Sequence, residues 1–178
     1  MRKLALPLFL VLAAACARSS GVAAGEPASD RYLHLQLRVS ETGDWKVVSA
    51  AEVPGKAVIS DSYLGDYVYE VRAGDRVIAV ESMPDPFETR GFGGPPGSPP
   101  GHPGERAATT TIVVKVPGMG LTGALGALSI RLLKIDTAGS SLSTIDAATL
   151  ERLRREGRAK VLVTARGEDL AAQIRQKG

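Results

Sequence analysis

The chain has 178 residues, 44% of them hydrophobic but only 4% aromatic, enough for one domain with a core of Val, Leu, Ile and Ala. Its formal charge of +3 arises at the N-terminus, because without Arg2, Lys3 and Arg18 there remain 19 basic and 19 acidic side chains. A neutral remainder excludes a whole-surface electrostatic case for nucleic-acid binding, and a single cysteine excludes an internal disulfide.

The first stretch, MRKLALPLFLVLAAACARSS, reads as an export signal. Arg2 and Lys3 precede an apolar run from Leu4 to Ala15 that is too short to cross a bilayer as a helix and has the proportions of a secretory core. Cys16 follows Leu12-Ala13-Ala14-Ala15, which resembles the bacterial lipobox, where small residues precede a cysteine that is diacylated and becomes the mature N-terminus. The lipobox leucine, three residues before the cysteine, is replaced here by Ala13. The other reading is a plain signal peptide, residues 1–24, cut after Val22-Ala23-Ala24. Either way the expectation is an exported protein: periplasmic, secreted, or held to the membrane only by a lipid on Cys16. Export compartments are oxidising, and with no disulfide the fold must rest on its core.

After a spacer at residues 25–30 the pattern changes to period two. Leu33, Leu35, Leu37 and Val39 share one face, and Tyr32, His34, Gln36 and Arg38 the other, which is the signature of a half-buried antiparallel strand. A turn at Glu41–Asp44 leads to a second strand, Trp45–Glu52, and then to a short Lys56–Ile59 run. Asp66–Arg72 and Arg76–Ser82 form a hairpin around Ala73-Gly74-Asp75. Thr109–Val116, closed by Pro117-Gly118, and Leu128–Ile135 complete the series. Six or seven short antiparallel strands predict a mainly β fold, an Ig-like β-sandwich over residues 31–136.

The C-terminal residues 137–178 read as a helix–strand–helix appendage. Asp146 is placed to cap a helix ending at Glu156, with Ile145 and Leu150 as a hydrophobic staple and Gly157 as the stop. Its apolar stripe, Ala147, Leu150 and Leu153, is thin, so the helix is expected on the surface. Lys160–Thr164 reads as a strand and Glu168–Arg175 as a last helix. Charge is uneven: residues 25–150 hold 11 basic and 15 acidic side chains, whereas 151–178 hold 8 and 4. That contrast predicts a tail paired to its own domain or a basic patch for an anionic surface.

The loop at 83–108 contains seven of the eleven prolines. Proline cannot join a sheet ladder, so Pro95–Gly104 is expected to project as an extended excursion, and a loop of this length in a compact domain is usually functional or disordered. The binding candidates are Phe87, Arg90, Phe92 and His102, with Phe87 and Phe92 expected to pin the loop's base or to grip a ligand. Gly118-Met119-Gly120-Leu121-Thr122-Gly123 has the spacing of a dinucleotide fingerprint, with Asp136 beyond it. The strand at Leu128–Ile135 leaves room for about one helical turn where a crossover needs a dozen residues or more, so no such cofactor is expected. His34 and His102 have no partner at metal-ligand spacing, and no serine stands in a nucleophile elbow. No catalytic residue, metal or cofactor is therefore assigned.

At DYVYEVRAGDRVIAVESMPDPFETRGF and TTTIVVKVP the chain resembles the N-terminal β-sandwich domain of bacterial IgA-peptidase-type secreted metallopeptidases, over residues 66–135. The zinc domain's histidine motif is absent. The resemblance implies an exported, non-catalytic sandwich. The resulting expectation is a non-enzymatic module that binds a protein or glycan of the cell envelope and no nucleic acid. The alternative is a small periplasmic hydrolase using Asp85, Glu88 and His102 at the mouth of the loop.

Overall fold

The computed structural model describes residues 30–88, 106–121, 125–138 and 141–176. Their strands form two antiparallel sheets and make the fold mainly β. The first sheet has the order β2-β1-β5, from β1 (Arg31–Ser40), β2 (Trp45–Pro54) and β5 (Thr109–Pro117). The second has the order β4-β3-β6-β7, from β3 (Tyr67–Ala73), β4 (Arg76–Met83), β6 (Leu128–Ile135) and β7 (Ala159–Arg166). The Lys56–Ile59 run forms no strand; it belongs to the segment that carries the chain from one sheet to the other.

The alternation of β1 places Leu33, Leu35, Leu37 and Val39 at no more than 1% exposure. They share one core cluster with Val114 and Val116 of β5, Tyr69 and Val71 of β3, and Ile130 and Leu132 of β6. Hydrophobic burial between the sheets is thus continuous, and it is the main stabilising term. The second sheet is covered on its inner face by the first sheet and over part of its outer face by α1 (Ala147–Arg155). Val68, Val80, Leu133 and Ile135 on its outer face pack with Ile145, Leu150 and Leu153, the last two from α1. For this reason residues 67–71 are all buried, although their sequence alternates with a glutamate.

The residues set apart in the sequence as an appendage are integral to the fold. β7 pairs along β6 as the fourth strand of the second sheet. The Asp146 side chain accepts the Thr149 N–H at 2.7 Å and caps α1, and Gly157 ends that helix at φ +71°. Leu150 and Leu153 are fully buried while Ala147 is exposed, so two leucines suffice to seat the helix. α2 (Gly167–Arg175) packs against a 3-10 turn (Leu125–Ala127), β2, β6 and β7, and so closes the side of the molecule where β2 and β7 are the edges. Gln173 Oε1 there accepts the Val47 N–H at 2.8 Å, and Leu170 joins the core.

Candidate functional site

On the opposite side, where β4 and β5 are the edge strands, the two sheets leave an open groove of about 630 Å³. Its walls are largely apolar: Leu64, Met83, Pro84, Pro86, Ile112 and Val113. Leu64 and Val113 are 58% and 41% exposed, and beside Met83, Pro84 and Pro86 they form a contiguous apolar lining rather than isolated surface residues. The charged side chains lining it are Glu81, Asp85, Glu88 and Lys115, an acidic excess.

The polar groups of the groove wall are tied together. The Tyr69 hydroxyl donates to Glu81, and Lys115 Nζ donates to the Val58 carbonyl at 2.9 Å and to Glu81 at 3.4 Å. Burial, and then the hydrogen bond and charge of Glu81, push the Tyr69 phenol above its ordinary range, so it stays protonated at neutral pH. Tyr69 faces Glu81 because β4 bulges at Ile78: Arg72 pairs with Val77 but Val71 with Ala79, which advances every later pair by one residue.

One end of the groove is the base of the proline-rich loop. Phe87 is fully buried, its ring edge-on to Tyr67 at 5.9 Å between centroids. Arg106, just before β5, lies 5.8 Å from the Phe87 ring centroid, pairs with Asp85 at 2.7 Å and with Glu41, and donates to the Tyr67 hydroxyl at 2.9 Å. The Ala107 N–H donates to the Phe87 carbonyl at 2.8 Å, and Glu88 and Arg106 form an antiparallel bridge. The two ends of the loop are therefore fastened to each other and to both sheets. Burial alone would raise the Asp85 carboxyl, but the Arg106 and Phe87 N–H hydrogen bonds hold it below the usual range. It is an ionised structural partner, poorly suited to proton transfer.

Of the residues singled out in the sequence, Phe87, Asp85 and Glu88 meet at this end of the groove. Cys16, Arg90, Phe92 and His102 lie outside the described residues. His34 sits half-buried on β1, paired in register with Lys115 and Ala51. Gly118, at φ +65°, turns the chain out of β5, and Glu52 accepts the Leu121 N–H at 3.1 Å. Leu121 of the glycine-rich run is thus held by a side chain of β2. Among the described residues no three His, Cys, Asp or Glu side chains converge as metal ligands would, and no helix is long and apolar enough to cross a membrane. Sequence reasoning missed Arg106 and Glu41, which are separated by the whole second hairpin, and missed the pairing of Tyr69 with Glu81, which depends on the bulge. No known protein family, curated protein or solved structure matches the chain significantly.

Proposed function

We propose that the protein is an exported, non-enzymatic Ig-like β-sandwich that binds a protein of the cell envelope through the groove between β4 and β5. The observation that carries the reading is the groove itself: two edge strands flanking exposed aliphatic side chains, with its tyrosine held protonated and its Asp85 held in an ion pair. Edge strands have backbone N–H and C=O groups on their unpaired side, so an extended segment can add to them as a strand while side-chain pockets give selectivity. The acidic excess of the wall selects a segment with a basic residue next to its apolar ones. Export rests on the leader sequence, and anchoring on Cys16.

The strand order supports the Ig-like reading. β3, β6 and β7 stand as the C, F and G strands of that fold, β4 as C′, and β1 and β5 as B and E. β2 takes the edge beside B that strand A would occupy, although it follows β1 in the chain. The resemblance of residues 66–135 to the sandwich domain of secreted metallopeptidases agrees with a non-catalytic role.

The test is selection of displayed peptides against the purified protein, followed by nuclear magnetic resonance mapping. Enriched peptides should alternate apolar residues with Lys or Arg and perturb Leu64, Met83, Ile112 and Val113. Val113→Glu should weaken them at least tenfold. Binding of a glycan in the same groove would replace the ligand class, and perturbations confined to other surfaces would remove the groove from the proposal.

A further inference from the structure

A second surface, away from the groove, carries a separate chemistry. α1 covers only half of the outer face of the second sheet. Beyond the apolar half, the pairing register sets two polar rungs side by side. In one, Arg131 stands between Glu70 and Thr164; in the next, Ser129 stands between Arg72 and Arg166. Arg131 is therefore the diagonal neighbour of both Arg72 and Arg166, at about 7–8 Å between backbones, well within the reach of arginine side chains.

Glu70 lies beneath this surface with its side chain 1% exposed. Arg154, from the last turn of α1, donates to both its oxygens, at 2.9 and 2.6 Å. Arg72 Nη1 donates to the same carboxylate at 3.2 Å, and Arg131 Nη1 stands 3.8 Å from it. One guanidinium neutralises one buried carboxylate. Arg154 is also paired with Glu151 at 3.6 Å, so three guanidiniums face two carboxylates and leave a surplus of one positive charge, to which exposed Arg166 on the adjoining rung adds a second. Like charges gathered this closely repel, and a multivalent anion would relieve that repulsion.

We propose that this basic half of the sheet face is an oxyanion site that takes a phosphate group between Arg72, Arg131 and Arg166, with the Ser129 and Thr164 hydroxyls beside it. Three features favour it. Glu70 fixes Arg72 from below and occupies the inward donors of Arg154, so the cluster is oriented before a ligand arrives. The Arg131 side chain, 3.8 Å from Glu70, makes no hydrogen bond among the described residues and keeps its planar fork of donors, which matches the geometry of phosphate. All three arginines project from paired strands rather than from loops, which holds their spacing. The charge surplus of residues 151–178 contributes here through Arg154 and Arg166.

The chemistry is shared by a soluble phosphorylated molecule and a phospholipid headgroup, and two measurements separate them. The first follows the melting temperature of the purified protein as inorganic phosphate replaces chloride at constant ionic strength. The second is co-sedimentation with phosphatidylcholine vesicles, with and without phosphatidate. A saturable, phosphate-specific rise in melting temperature is expected. Arg131→Gln and Arg166→Gln should weaken it at least tenfold while remaining folded, since neither arginine donates a hydrogen bond to Glu70. A phosphate response without vesicle binding assigns a soluble ligand. Vesicle binding that requires both phosphatidate and Arg131 assigns a headgroup. The proposal is overturned if neither probe binds beyond the chloride or phosphatidylcholine control, or if both variants respond as the parent does.

Discussion

Phe87 and Glu70 are single residues whose surroundings set their consequences. Removing the Phe87 ring takes away its contact with Tyr67 and the surface over which Arg106 lies, and leaves a cavity between the sheets. Phe87→Ala should therefore cost about 3–5 kcal/mol, read as a lower denaturant midpoint with unchanged slope. Glu70→Ala strips three guanidinium groups of their common partner and should cost about as much. Pairing it with Arg154→Leu should cost less than the sum of the two single changes, because the penalty lies in leaving one charge alone. The pH dependence has a defined sign. Burial works against the Glu70 carboxylate, but the Arg154 hydrogen bonds and the charges of Arg154, Arg72 and Arg131 prevail and hold its pKa below normal. A depressed folded-state pKa means stability that is complete above the unfolded carboxylate range, about pH 4, and is lost as pH falls below it. Acid titration of the melting temperature should show a steeper fall in the parent than in Glu70→Gln.

At the scale of elements, the two helices do different work. α1 is local in origin: Asp146 caps it, Leu150 and Leu153 seat it, and Arg154 fastens its last turn to Glu70. Asp146→Ala should cost about 1 kcal/mol, while Asp146→Asn should restore most of it, a comparison that thermal melts can resolve. α2 is tertiary in origin. It has no side-chain N-cap, and it begins at Gly167, where an added Cβ would lie 1.9 Å from the Leu125 carbonyl oxygen. No side chain fits that approach without moving backbone. Gly167→Ala should displace α2 from the 3-10 turn and expose the Val47 amide, seen as lost hydrogen-exchange protection at Val47. Protection retained there would mean that the turn, rather than the helix, gives way.

Over the whole molecule, the two ends of the segment between β4 and β5 are fastened by Asp85, Phe87, Arg106, Tyr67 and Glu41. The proline- and glycine-rich residues 93–104 offer no apolar face to bury, and halving a loop changes its closure entropy by only about 0.6 kcal/mol. Replacing 93–104 by a four-residue Gly/Ser turn should move the melting temperature by a few degrees at most. An unfolded product would mean that the run itself contributes to the fold. The contrast with Phe87→Ala separates the contribution of the fastened ends from that of residues 93–104.

The sequence by itself determined the elements. Alternation in Leu33–Val39 and in Tyr67–Val71, the turn residues between β3 and β4, and the cap at Asp146 were legible because each follows from local sterics and period. Only the tertiary structure decided what those elements meet. That residues 159–166 complete the second sheet depends on α1 folding back over its outer face, a contact between segments far apart in sequence. Glu70 looks like an outward polar residue of an alternating strand, yet it is buried, because a second layer covers that face and brings Arg154 from 84 positions away. The groove, likewise, exists because α2 closes one side of the two sheets and nothing equivalent among the described residues closes the other. Periodicity states which side of a strand is apolar; burial, charge pairing and open edges depend on which layers come to lie against it.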